Sequence, residues 1–214
     1  MSRETGPACK KCRSLGRKLY LKGERCYSEE KCAFRRRPYA PGQQGQFSRR
    51  GGRGATEFAV QLREKQRVRK IYNVPERQFR QYYLKAIRKK GITGETLFQF
   101  LERRLDNVVY RLGFAFSRAH ARQLVRHRHI RANKKIVDIP SYSVKLNDVI
   151  EVKESSKKLQ DIRDAANISS QRLRVPAWLE SNPLELRGTV LELPSWEKMG
   201  LDFESHLLVE YYSR

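Results

Sequence analysis

Ser117-Arg-Ala-His-Ala-Arg-Gln-Leu-Val-Arg-His-Arg-His-Ile-Arg-Ala-Asn133 is the stretch that decides how this 214-residue chain is read. Ser117 is a ready N-cap, because its hydroxyl can accept a backbone N–H, and the alanines and leucine behind it favour helix. At about 100° per residue, Ala121, Leu124 and Val125 share one arc and Arg118, Arg122 and Arg126 the adjacent one. Like charges at i, i+4 destabilise an isolated helix, so the arginine stripe has a cost unless an anion lies against it. After Arg126 the pattern changes, and Ile130–Asn133 predicts a short strand entering an Asn133-Lys134 turn. Three arginines alone also suit a solvated helix face; the neighbouring sequence favours a polyanion.

The net charge is +23 and the sequence pI about 10.3, which points to a polyanionic partner. Only 39% of residues are hydrophobic and 32% are charged, a low apolar share for one globule. The charge is uneven: residues 1–90 hold 26 Lys and Arg against 7 Asp and Glu, and residues 91–214 hold 20 against 16. The first half therefore carries most of the electrostatics. No run approaches the ~18 apolar residues of a membrane span, and no helix pairs a wide apolar face with a basic one over several turns. Met1-Ser-Arg-Glu-Thr-Gly6 lacks the apolar core of a secretory leader, so the cytoplasm is the simplest expectation.

Cys9, Cys12, Cys26 and Cys32 are all of the cysteines, and they crowd into one short segment opening with C-x2-C. Four thiolates so placed suit zinc, which can fix a knuckle with too few apolar residues to fold alone. An iron–sulfur cluster is the alternative cofactor, and a disulfide pair a further alternative. Lys10, Lys11, Arg13, Arg17 and Lys18 should lower the thiol pKa values.

Residues 35–54 read Arg-Arg-Arg-Pro-Tyr-Ala-Pro-Gly-Gln-Gln-Gly-Gln-Phe-Ser-Arg-Arg-Gly-Gly-Arg-Gly. Two prolines and several glycines exclude a helix interior or a central strand. An extended arm on nucleic acid fits, with arginines for phosphates, glycines for close backbone approach, and Tyr39 and Phe47 for stacking. A basic linker is the plain alternative.

Thr56–Tyr72 predicts a helix with a Thr cap, and Pro75–Lys89 a second whose Phe79, Tyr82, Tyr83, Ala86 and Ile87 form a core face. Thr93 should cap a third, with an apolar face running from Leu97 to Leu112 and a stop at Gly113. Short β-segments are expected at Lys135–Ile139, Ser143–Lys145, Val149–Lys153, Thr189–Leu193 and Leu207–Tyr211, with a modest helix at Lys157–Ala166. Trp178 and Trp196 read as packing residues. The fold class is α+β, with a small antiparallel sheet.

Leu19-Tyr-Leu-Lys-Gly-Glu-Arg-Cys26, Arg37-Pro-Tyr-Ala-Pro-Gly-Gln-Gln-Gly45, Leu62-Arg-Glu-Lys-Gln66, Arg104-Leu-Asp-Asn-Val-Val-Tyr-Arg-Leu-Gly-Phe114, Ser117–Asn133 and Tyr211-Tyr-Ser-Arg214 together resemble the bacterial small-subunit ribosomal protein S-four family, in its four-cysteine branch. The resemblance spans nearly the whole chain. It implies a metal-binding knuckle and basic arm at 1–45, a helical body at 46–94 plus 195–214, and an S-four-type helix–turn–strand RNA-binding domain at 95–194. It also implies binding to a multi-helix junction near the 5′ end of small-subunit ribosomal RNA and roles in subunit assembly and translational fidelity. Its implied partners are protein S-five, mRNA where it enters the ribosome, and the transcript of the protein's own operon. The family branch separates its last two cysteines by four residues; here Tyr27–Lys31 make five, with Glu29-Glu30 where the family has a proline.

The expected RNA contacts are Arg35, Arg36, Arg37, Tyr39, Gln43, Arg49, Arg50, Arg53, Lys65, Arg69 and Lys70, then Arg103, Arg104, Arg118, Arg122, Arg126, His127, Arg128, His129, Asn133 and Lys134. Removing charge from the Arg118/Arg122/Arg126 stripe should weaken RNA binding and leave thermal stability unchanged. A loss of stability would mean that these arginines pair with carboxylates inside the protein. An RNA-modifying enzyme is disfavoured, because His120, His127, His129 and His206 have no Cys or carboxylate partner at catalytic spacing and no phosphate-cradling Gly-rich loop is present. A zinc-finger-type DNA regulator is disfavoured because nothing indicates dimer or half-site logic.

Overall fold

The computed structural model describes residues 5–45, 56–172 and 175–213. In chain order its helices and strands are α1 (Ala8–Leu15), α2 (Ala33–Arg36), α3 (Glu57–Ile71), α4 (Glu76–Ile87), α5 (Thr93–Glu102), α6 (Leu105–Arg111), α7 (Arg118–Arg126), β1 (Ile130–Ala132), β2 (Lys135–Ile136) and β3 (Val149–Val152), followed by α8 (Gln160–Arg172), β4 (Leu179–Asn182), β5 (Arg187–Val190), α9 (Trp196–Met199) and α10 (Ser205–Ser213). The chain divides into two compact units, Met1–Arg88 with Phe203–Arg214, and Lys89–Asp202. The second crossing falls after Asp202 rather than after Pro194, because Trp196 packs edge-on against Phe98 with ring centroids 5.4 Å apart. Among the described residues no helix is long and apolar enough to cross a membrane.

In the first unit, Thr56 Oγ1 accepts the Ala59 N–H at 3.3 Å and starts α3 as the sequence predicts. Pro75 precedes α4, which buries Phe79, Tyr83 and Ala86. Those rings meet Tyr212, at 6.2 Å for Phe79 and 4.6 Å for Tyr83. Tyr212 belongs to α10, so Leu207–Tyr211 is a helix and not the expected strand. Its Leu, Val and Tyr content suits a strand in isolation. Tertiary packing overrides that preference, because a helix delivers Leu208 into the core and stacks Tyr211 on Phe58 at 5.6 Å.

Part of the arm is tied down. Arg35 and Arg36 end the single turn of α2, a helical turn where an extended chain was expected. Arg13 of α1 then donates to the carbonyls of Tyr39 at 2.9 Å and Ala40 at 3.2 Å. A Cβ at Gly45 would stand 1.9 Å from the Ala40 carbonyl oxygen, so only glycine permits this return of the chain.

The second unit is built on an antiparallel sheet of order β2-β1-β3-β5-β4. β1 and β2 form a hairpin whose loop residues, Asn133 and Lys134, have φ of 50° and 66°, the left-handed conformation of a two-residue I′ turn. Leu105, Val108, Val109, Ala121, Val125, Ile130, Ile150, Ile162, Trp178 and Val190 belong to one buried cluster beneath the sheet and helices. Gly188 of β5 admits Leu112 so closely that a Cβ would lie 2.4 Å from its Cδ2.

The expected continuous helix from Thr93 to Leu112 is two helices, and Thr93 is the first residue of α5 with Ile92 at the cap position. Arg104 is extended (φ −67°, ψ 135°) and bridges Ser143. Around it the Val144 N–H donates to the Arg103 carbonyl at 2.9 Å, and the Leu105 N–H to the Tyr142 carbonyl at 2.8 Å. The apolar period runs through the break. A distant loop satisfies the backbone groups that a continuous helix would have paired.

Candidate nucleic-acid interface

Ser117 caps α7, its Oγ accepting the His120 N–H at 3.2 Å, and Ala121, Leu124 and Val125 are buried as predicted. The arginine stripe then splits. Arg122 is 6% exposed, and its Nη1 lies 3.4 Å from Asp106 Oδ2. Arg104, 1% exposed, grips the same carboxylate with Nε at 3.0 Å and Nη2 at 2.7 Å. Both guanidiniums are spent on the interior, where two cations flank one buried anion. Arg118 is half-buried, donating from Nε to Asn107 Oδ1 at 2.8 Å and lying 4.6 Å from the Tyr110 ring centroid. Asn107 is held in turn by Glu102, a fully buried carboxylate that also receives Arg111 through two bonds of 3.0 and 3.1 Å. Of the stripe, Arg126 is the member that faces solvent.

Arg126 and the exposed His127 and Arg128 stand at the carboxyl end of α7, the pole of the helix dipole that favours cations. Arg128 takes φ of 61° and makes an exposed ion pair with Asp138 at 3.2 Å. The β1–β2 hairpin follows at once and presents Lys134 and Lys135 to solvent. Asn133 is a pin for this hairpin: its Nδ2 donates to Asp148 at 2.8 Å and its Oδ1 accepts the Val149 N–H at 2.9 Å. His129 bonds Ser156 Oγ through Nδ1 at 2.9 Å, and burial, with the charges of His127 and Lys153, pulls its pKa down. Burial likewise lowers His120, which faces Phe116 at 5.7 Å, with Asp161 opposing the shift. Arg103 donates to the Val144 carbonyl at 2.9 Å, and its pKa too is lowered by burial.

In the first unit, Lys65 is also internal. It is 4% exposed, pairs with Glu76 at 2.9 Å and lies 4.2 Å from the Tyr211 ring centroid. The Tyr212 hydroxyl donates to the same Glu76 oxygen at 2.7 Å, and Arg69 lies 3.6 Å from the other. Burial would raise the Glu76 carboxyl, but bonds from Tyr212 and Lys65 outweigh it and hold the group below its ordinary value. Lys70 reaches Ser14 Oγ at 3.5 Å. Arg35, Arg36, Arg37 and Gln43 are exposed, Arg35 within 3.5 Å of Glu29, while Tyr39 is half-buried with Arg13 4.9 Å from its ring centroid. Phe47, Arg49, Arg50 and Arg53 lie outside the described residues.

The four cysteines are free of disulfides; Cys12, Cys26 and Cys32 are buried and Cys9 is half-exposed. Backbone N–H groups of Leu19 and Lys22 point at Cys12 and Cys26 sulfurs, the second at 3.3 Å, as thiolate ligands accept them. The thiol pKa values of Cys12 and Cys26 are nevertheless raised, contrary to expectation, because burial outweighs those bonds and the nearby cations. Among the described residues no group of three or more Cys, His, Asp or Glu side chains could hold a metal ion as placed. The donor chemistry fits four thiolates, and closing a site would require the sulfurs to draw together.

Sequence reasoning missed Lys135, whose exposure follows from the two-residue turn before it, and Arg13, whose role as a tether depends on a contact with Tyr39 far along the chain.

Two family models match in series along the chain. Residues 3–102 match the Ribosomal protein S4/S9 N-terminal domain and residues 103–150 the S4 domain, which takes in α6, α7 and strands β1 and β2. Among curated relatives, Small ribosomal subunit protein uS4A of Symbiobacterium thermophilum and uS4 of Desulfitobacterium hafniense are each 53% identical over 214 residues, covering 100% of both chains. The uS4 protein of Thermodesulfovibrio yellowstonii is 50% identical over 215 residues, also covering both completely. Two matched domains in order, and half of all residues shared end to end, place the chain in the uS4 family of small-ribosomal-subunit proteins.

Proposed function

We propose that the chain is a non-catalytic building block of the small ribosomal subunit in the cytoplasm, binding ribosomal RNA at a multi-helix junction near its 5′ end. The observation that carries this reading is the exposure of Arg126, His127 and Arg128 at the end of α7 and of Lys134 and Lys135 in the hairpin that follows it. The helix is fixed by the buried Arg122–Asp106 pair and the hairpin by the Asn133–Asp148 hydrogen bond, so phosphates meet basic side chains already in place. Exposed Arg35, Arg36 and Arg37 extend the basic surface of the first unit, which holds 25 Lys and Arg against 9 Asp and Glu over residues 1–88 and 203–214. Sequence selection would come from junction shape and unpaired bases, since the A-form major groove is too narrow for side chains. Roles in subunit assembly, decoding fidelity beside protein S-five, contact with mRNA where it enters the ribosome, and repression of its own operon belong to the same reading through family membership.

The cysteine segment is proposed to take one zinc ion on Cys9, Cys12, Cys26 and Cys32, with an iron–sulfur cluster as the alternative. Its support is three buried sulfurs and two N–H···S bonds. Zinc would supply a tetrahedral cross-link to a segment poor in apolar residues.

Competition between folded junction RNA and duplex DNA at equal salt tests the partner. If six to ten phosphates are engaged, affinity falls about 10³–10⁵-fold between 50 and 200 mM salt. Equal affinity for duplex DNA would overturn the RNA reading.

A further inference from the structure

We propose that a cleft in the first unit, between the end of α1, α3 and the start of α10, takes an unpaired guanosine nucleotide of RNA. The proposal rests on the RNA-binding reading above. The cleft has a volume of about 200 Å³, room for a single base. Leu15, Val60 and Leu207 give it apolar walls for the faces of a ring. Arg17 and Arg63 line it too and are exposed, which places guanidiniums where a phosphate or a ring face would be met. Arg67 is committed to Glu64 at 3.1 Å and lies 4.9 Å from the Phe203 ring centroid, so it shapes the wall.

Of the two carboxylates in the lining, the one that faces solvent identifies the ligand. Glu64 is 8% exposed, and its Oε1 also accepts the Glu204 N–H at 3.4 Å. The Glu204 side chain is 61% exposed and stands 3.9 Å from His206. Glu64 is already satisfied by Arg67 and the Glu204 N–H, so the exposed Glu204 carboxylate is the acceptor left for a base that presents N–H donors. Guanine alone offers two adjacent donors, N1–H and the N2 amino group, to one carboxylate, whereas uracil places its single N–H between two carbonyls. The arginines then neutralise the nucleotide's phosphate, and the high positive charge of the unit draws the strand in.

The test uses the full chain. Nuclear magnetic resonance titrations with GMP, AMP, CMP and UMP should show GMP binding at least fivefold more tightly than UMP, with shifts at Val60 and Leu207. Glu204→Gln should abolish that preference, and Val60→Trp should remove nucleotide binding and weaken binding of a 5′-domain ribosomal RNA transcript at least fivefold. Glu204 is exposed, so the Gln variant decides the matter even if Val60→Trp fails to fold. Equal binding of all four nucleotides, tighter binding of an acidic peptide, or an unchanged preference in the Gln variant would overturn the cleft assignment while leaving RNA binding intact. A wild-type chain that does not bind the transcript overturns the RNA reading itself.

Discussion

Asp106→Ala should cost the second unit more stability than removal of any exposed arginine. Asp106 is 4% exposed and is shared by Arg104 (2.7 and 3.0 Å, 1% exposed) and Arg122 (3.4 Å, 6% exposed). Deleting it leaves two guanidiniums facing each other in the interior without that anion. Removing one partner of a buried ion pair costs about 3–5 kcal/mol. For a unit of about 100 residues, 1 kcal/mol moves Tm by roughly 4 °C, so the unit should melt about 12–20 °C lower. Circular dichroism melts of the RNA-free chain read this directly. Asp106→Asn keeps an acceptor and should lose less. Arg126→Ala should leave Tm within about 2 °C, as exposed substitutions do, while weakening RNA binding. If Asp106→Ala also melts within about 2 °C of the wild type, the buried network is not what fixes α6 against α7.

Tyr212→Phe removes a 2.7 Å bond to the Glu76 carboxylate and should destabilise the first unit by about 1.5–3 kcal/mol, measured by urea unfolding. His120 and His129 are both held below the ordinary imidazole value, so between their folded values and about 6.5 the unfolded chain binds more protons. Stability should therefore fall as pH drops through that window, and the double Gln variant should flatten the profile. Metal analysis with an absorption spectrum of anaerobically purified protein should find one colourless zinc per chain, and a brown sample would assign the iron–sulfur alternative. Chelation should unfold residues 1–35 and spare α3 and α4; simultaneous loss of both would show that the cysteine segment is not a separate knuckle.

Local signals made much of the fold legible. Thr56 and Ser117 cap where a hydroxyl precedes an apolar period. Phe79, Tyr83 and Ala86 of the predicted α4 face are core, whereas Tyr82 is half-buried and Ile87, near the end of the helix, is exposed. The Asn133-Lys134 turn was equally plain, because asparagine tolerates a left-handed backbone. What stayed hidden depends on contacts distant in sequence. The α5–α6 break is stabilised by the Pro140–Val144 loop, and α10 is a helix because α3 and α4 offer its rings a surface. The candidate site was misjudged for the same reason. Arg104, Arg122 and Lys65 are basic and near the predicted surface, yet each turns inward to a carboxylate, Asp106 or Glu76. An aspartate two residues from Arg104 was the visible clue, and charge counting alone could not weigh it. Of the stripe, Arg126 remains exposed, and the exposed basic residues continue through Arg128 into the hairpin.

That exposed basic surface is best tested by the salt dependence of binding to a 5′-domain small-subunit ribosomal RNA transcript. Wild type is compared with a chain carrying Arg126→Gln, Arg128→Gln, Lys134→Gln and Lys135→Gln. Each lost phosphate contact should reduce the slope of log K against log salt by about 0.7–0.9, so the variant's slope should be shallower by roughly three, with Tm preserved. A variant that binds with the wild-type slope and affinity would contradict the account, placing the RNA surface elsewhere on the protein.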